Sequence, residues 1–98
     1  MDNEIIFLAK KYVWWQPPKK TLENQNYFLA QLMTFGTAED VFWLLKRWGY
    51  QPFIETLNNP PLGVFNGRSW HFWHYKLGLA KNPQEIPSLP IRLAKFWS

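Results

Sequence analysis

The chain has 98 residues, 47% of them hydrophobic and 18% charged, so it is long enough for one packed domain and too apolar for a disordered tail. It has no cysteine, which excludes disulfides and thiolate chemistry, and no apolar run near the roughly 20 residues of a membrane span. Net charge is +4, unevenly spread: residues 21–45 hold three acids and no base, and residues 57–98 five bases and one acid. This suits an anionic partner at the ends, and it is also an ordinary solubility charge for a small domain.

Asn3 is placed to cap a first helix over about Glu4–Trp15, with Ile5, Leu8, Ala9, Tyr12 and Val13 at helical spacing. Pro17-Pro18 forbids its continuation. Lys10, Lys11, Lys19 and Lys20 surround Trp14-Trp15. A second helix is expected over about Leu22–Phe35, capped by Thr21, with Phe28, Leu32 and Phe35 in one row, Leu29 and Met33 in the adjacent one, and Gly36 as its natural stop.

The third helix is the most completely written. Thr37 is its hydroxyl N-cap, and Glu39 and Asp40 put acid in the first turn where the helix dipole favours it. Lys46 and Arg47 put base in the last turn, and Gly49 supplies the left-handed residue that ends such helices. Val41, Leu44, Leu45 and Trp48 make the inward stripe, which leaves Phe42 and Trp43 outside it beside Lys46 and Arg47. Gly36-Thr37 joins helices two and three by a very short turn.

A short fourth helix over about Pro52–Leu57 turns Phe53, Ile54 and Leu57 inward. Asn66 or Ser69 caps a fifth, which runs to about Leu77 and ends at Gly78. Trp70, Trp73, His74 and Leu77 share its inner face; Arg68, His71, Phe72, Tyr75 and Lys76 share the outer one. Pro83, Pro87 and Pro90 then make residues 82–98 a proline-rich C-terminal arm, ending in Ile91–Trp97 as a short helix or docking peptide. No segment alternates at period two. The fold class expected is all-α: a single compact domain, residues 1–98, of about five short helices plus the arm. The opening Met-Asp-Asn-Glu carries acid where a signal peptide needs base, so the expected compartment is the cytoplasm.

Chemistry is sparse. His71 and His74 stand i, i+3, but zinc needs three or four ligands and no other His or Cys exists, so no metal or cofactor is expected. Ser69 and His71 point to different sides of a helix, and Glu39-Asp40 are adjacent and serve as caps, so no enzyme is expected. A surplus remains: 7 Trp, 8 Phe and 4 Tyr exceed what one small core absorbs. Helices three and five each carry large rings mixed with base outside their inner stripe, the composition of interface hot spots. The expected partner-binding set is Phe42, Trp43, Lys46, Arg47, Arg68, His71, Phe72, Tyr75, Lys76, Arg92, Phe96 and Trp97. The same mixture of rings and base makes nucleic-acid binding the alternative, with the lysines around Trp14-Trp15 as a stacking platform. Self-association is left open.

Several short words add a resemblance: Tyr12-Val13-Trp14-Trp15, Leu29-Ala30-Gln31-Leu32-Met33, Gly36-Thr37 with Glu39-Asp40-Val41, Arg68-Ser69-Trp70, Trp73-His74, Lys76-Leu77-Gly78-Leu79 and the spaced Pro87 and Pro90. Over about residues 8–92 they resemble a family of small bacterial proteins encoded beside abortive-infection-type nucleotidyltransferase toxins. The resemblance implies a toxin–antitoxin setting, with this chain as the non-catalytic antitoxin that binds and occludes its toxin. It carries over no catalytic residue.

Overall fold

The structure is a computed structural model that describes residues 3–90. Six α-helices run in order: α1 (Asn3–Tyr12), α2 (Pro18–Glu23), α3 (Gln25–Phe35), α4 (Ala38–Trp48), α5 (Gln51–Asn58) and α6 (Gly67–Lys76). One 3₁₀ turn follows at Pro83–Glu85, and the described residues contain no strand. The all-α expectation therefore holds, with one helix more than expected.

The helix at the centre is α3. It packs against all five of the others, α4 most lightly, and Phe28 to Met33 are all buried, a continuous run with no outer face. A helix that is apolar all round belongs inside. The Thr34–Gly49 stretch is the better-punctuated helix, but α4 lies on the outside of the bundle. Its Leu44 and Leu45 are buried, whereas Val41 and Trp48 are only half covered.

The expected second helix is two. Pro18 opens α2 at its first position, where the missing N–H costs nothing. Thr21 is an interior residue of α2, fully buried, whose hydroxyl accepts from Gln16 Nε2 at 2.9 Å; it caps nothing. The true cap of α3 is Asn24, whose side chain accepts from the Tyr27 N–H at 3.2 Å. Pro17-Pro18 had signalled only a stop, although proline both stops and starts helices. The α3 row also ends earlier than expected, since Phe35 is 63% exposed.

Thr37 caps α4 as expected, accepting from the Asp40 N–H at 3.1 Å. Asp40 then does more than answer the dipole. Its Oδ2 accepts from Tyr12 Oη at 2.5 Å and from Lys11 Nζ at 2.8 Å, while Tyr12 Oη itself accepts from the Thr37 N–H at 3.2 Å. The end of α1 is thereby tied to the start of α4. Hydrogen bonds from Lys11 and then Tyr12 hold the Asp40 carboxyl below its usual 3.8.

Two glycines meet different needs. Gly49 has φ 79° and ψ 179°, a region essentially reserved for glycine. Gly36 ends α3 as expected, but with φ −73° and ψ 153°, a conformation open to any residue. It is there for room: a Cβ would run into the Leu32 carbonyl oxygen and come within 2.9 Å of Leu32 Cδ1.

Asn66 caps α6 in a reciprocal pair with Ser69: Asn66 Oδ1 accepts from the Ser69 N–H at 2.8 Å, and Ser69 Oγ from the Asn66 N–H at 3.2 Å. Both expected candidates thus serve together. Trp73 of α6 donates Nε1–H to the Met33 carbonyl at 2.9 Å, and Trp70 donates to the Pro87 carbonyl at 2.8 Å. The second bond, with the Gly63 N–H on the Pro90 carbonyl at 3.3 Å, holds residues 87–90 against the body. The start of the expected arm is therefore part of the fold, while Ile91–Trp97 lies outside the described residues.

Two outcomes follow. Gly36→Ala should cost about 1–3 kcal/mol by overpacking, read as a fall in Tm of several degrees in a thermal melt. Asp40→Asn should lower stability at neutral pH. A carboxylate whose folded pKa is depressed stabilises above its ordinary 3.8 and loses that contribution as pH falls through the folded value. The gap between parent and Asp40→Asn in urea unfolding should therefore be open at pH 7 and close toward pH 2–3; a gap that is constant with pH would contradict the assignment.

Candidate functional site

The Cα envelope measures 39 × 35 × 19 Å. Helices with their side chains are about 10–12 Å across, so the short dimension holds little more than two of them. A slab this thin covers one side of most helices and leaves the other side in water. Large rings stay outside as a result: Phe42 is 60% exposed, Phe72 53% and Tyr75 41%.

Between α4 and α6 runs an apolar groove of about 330 Å³. Met33, Leu45 and Trp73 form its floor, with Val41 at one side. Phe42 from α4 and Phe72 from α6 stand on its walls, and Lys76 lies on the rim with Nζ 5.9 Å from the Phe42 ring centroid. Gly36 is also in the lining, so the residue that permits the tight α3–α4 turn helps open the groove. Phe72 is held edge-on against Trp73, with centroids 5.4 Å apart. A second depression, lined by Arg68, Ser69, Asn66 and Thr34, continues past Phe72 and shares Met33 and Phe72 with the groove.

The structure therefore gathers Phe42, Phe72, Lys76 and Arg68 on one surface, with Lys46 one turn beyond Phe42 on α4 and exposed. No acid lines either depression. Trp43 does not join them. It is half-buried, packs on the core, and lines a separate depression beside Phe7, Leu8 and Asp40. Arg47 covers its ring at 4.5 Å from the centroid. The pairing of Phe42 with Trp43 as one outer side is thus split, since adjacent helical residues diverge by about 100°. Tyr75 and His71 are exposed but line neither depression. Arg92, Phe96 and Trp97 lie outside the described residues.

The histidines are one packed and one exposed. Buried His74 bonds through Nδ1 to the Trp70 carbonyl at 2.7 Å, and His71 through Nδ1 to the Gly67 carbonyl at 2.8 Å. A carbonyl only accepts, so each Nδ1 carries the proton. Among the described residues no three His, Asp or Glu side chains come together as a metal site, and no helix is long and apolar enough to cross a membrane.

One exposed region carried only a partial signal in the sequence. Trp14 is 76% exposed and Trp15 49%, and with Phe35 they line a cleft on another part of the surface. The lysines around the tryptophans were visible, but Phe35 reads as core by helical spacing. No protein-family model, no curated protein and no solved structure matches the chain.

Proposed function

We propose that the chain is a non-catalytic protein-binding module whose α4–α6 groove receives an acidic amphipathic segment of a partner protein. One observation carries this: two exposed phenylalanines on different helices face across an apolar floor, and every charged side chain in the lining is basic. Without an occupant, Phe42 and Phe72 are an aggregation liability. With one, they become the buried ring anchors that dominate interface energetics. An amphipathic helix would set residues at i, i+3 or i+4 and i+7 into the groove. Its acids would meet Lys76, Lys46 and Arg68.

The identity of the partner rests on the sequence resemblance. It points to a nucleotidyltransferase-type toxin from the same operon, neutralised by occlusion. The basic rim suits such a target, whose catalytic surface would present acidic metal-binding carboxylates.

Co-expression with the product of the adjacent reading frame, followed by isothermal titration of the purified pair, tests the reading. Phe42→Ala and Phe72→Ala should each weaken the complex by at least ten-fold and leave Tm within a few degrees of the parent, since both rings are more than half exposed. Lys76→Glu should slow association. Undiminished affinity in both alanine variants removes the groove from the function. A concentration-dependent mass that Phe42→Ala abolishes would assign it to a second copy of the chain instead.

A further inference from the structure

We propose that Trp14, Trp15 and Phe35 form a second binding surface, one that stacks the unpaired bases of a single-stranded RNA loop while Lys10, Lys19 and Lys20 meet its phosphates. This surface shares no lining residue with the α4–α6 groove, so it stands or falls separately from the protein-binding reading.

The argument begins with exposure. Trp14 presents more of its ring to water than any other large apolar residue of the chain's described part, and it sits in the short turn between α1 and α2, where no core stripe requires an indole. Trp15 packs edge-on against Trp14, centroids 5.5 Å apart and planes at 88°, and edge-on against Tyr27 at 6.5 Å. The two indoles are thereby braced, and a braced ring loses little further freedom on binding. Phe35, 63% exposed at the end of α3, lines the same cleft of about 450 Å³, whose polar side chains are Lys11, Tyr12 and Gln31, the last donating its Nε2–H to Tyr27 Oη at 3.2 Å. Rings of this kind stack on any base, and the Gln31 carboxamide oxygen is an acceptor for a base edge.

Charge then selects the partner. From residue 10 to residue 20 the chain holds four lysines and no acid. Lys11 lines the cleft but is engaged by Asp40. Lys10, Lys19 and Lys20 are exposed, and no ion pair engages them among the described residues. Lys20 lines the neighbouring depression with Gln16, Tyr27 and Glu23, and Tyr27 is the ring that Trp15 meets. Glu23 is the one acid there, so base remains in excess. An acidic peptide would satisfy the lysines but would leave perpendicular indoles without flat partners. A lipid surface would want its rings coplanar with the interface.

Geometry favours a loop over a tract. The two indoles are almost perpendicular, so a base laid on one ring cannot continue as a regular stack on the other. One or two splayed bases fit where a long stacked strand does not. Unstacked bases in loops and bulges are the usual targets of base-reading RNA recognition, whereas sequence-tolerant single-strand binders track a longer groove.

Fluorescence anisotropy of three labelled probes, titrated with the full chain, tests the proposal: an RNA hairpin with an unpaired loop, the same stem closed as a duplex, and single-stranded DNA of the loop sequence. The hairpin should bind tightest, and binding should weaken steeply with salt. Trp14→Ala should weaken it roughly ten-fold or more, and Lys10, Lys19 and Lys20 changed together to Ala should lower the salt slope by about two. Phe42→Ala should change nothing, which separates this surface from the groove. Circular dichroism melts of Trp14→Ala should match the parent, because the ring is in water. Duplex or DNA binding equal to the hairpin overturns the proposal. So does hairpin affinity unaffected by Trp14→Ala, or co-sedimentation with anionic vesicles in place of RNA binding.

Discussion

Everything in this fold is arranged around a helix that has no outside. From Phe28 to Met33 every residue of α3 is buried, so the other helices must enclose it on every side. The enclosure is polar as well as apolar. The Trp73 indole reaches the Met33 carbonyl, and Thr56, fully buried on α5, donates to Pro52 O at 2.9 Å and meets Asn26 at 3.3 Å. No buried side-chain nitrogen or oxygen among the described residues lacks a partner. Burial of rings and satisfaction of their N–H groups are one requirement here, since an unmet indole donor in the interior would cost about 1–3 kcal/mol.

Enclosing one helix with five short ones uses up their inner faces and stops there. The body is 19 Å thick, so each outer helix has α3 on one side and solvent on the other. Trp48 shows the boundary: its ring meets Phe28 edge-on at 6.1 Å yet stays half in water. Large rings placed one helical step from the inner stripe, such as Phe42 and Phe72, are carried outward by geometry. A thin body thus leaves part of an aromatic-rich sequence on the surface.

The sequence made some of this legible and hid the rest for physical reasons. Caps and dipole acids are local, so Thr37, Asn66 and the Asp40 side of α4 were readable where they stand. The break at Asn24 was not, because apolar spacing continues smoothly across it and only the cap and the helix-starting role of Pro18 reveal it. The centrality of α3 was hidden for a related reason: a helix buried all round has no amphipathic stripe, and stripes are what periodicity detects. Gly36 is legible as a helix stop from its position, but the need for glycine there comes from the closeness of Leu32, which is three-dimensional information. The outer residues of α4 and α6 could be named, but their grouping could not. Phe42 joining Phe72, and Trp43 parting from both, depends on where α1 and α6 lie relative to α4.

How the surplus rings are kept soluble also bears on what they bind. Arg47 lies over Trp43 and Lys76 over Phe42, each cation and ring coming from the surface that the other would otherwise leave bare. Such contacts are worth only about 0.5–1 kcal/mol at exposed sites, too little to bury a ring and too little to hold a cation against a carboxylate. A cover of that strength keeps the ring from sticking indiscriminately, yet yields to a partner that supplies both an apolar side chain and an acid. Lys76 is already placed at the edge of the groove, so on the proposed reading its ammonium would turn from the exposed Phe42 ring toward an incoming carboxylate as an apolar group meets that ring. On that reading the basic rim would do more than select charge: it would tie recognition of acid to contact with the phenylalanine beside it.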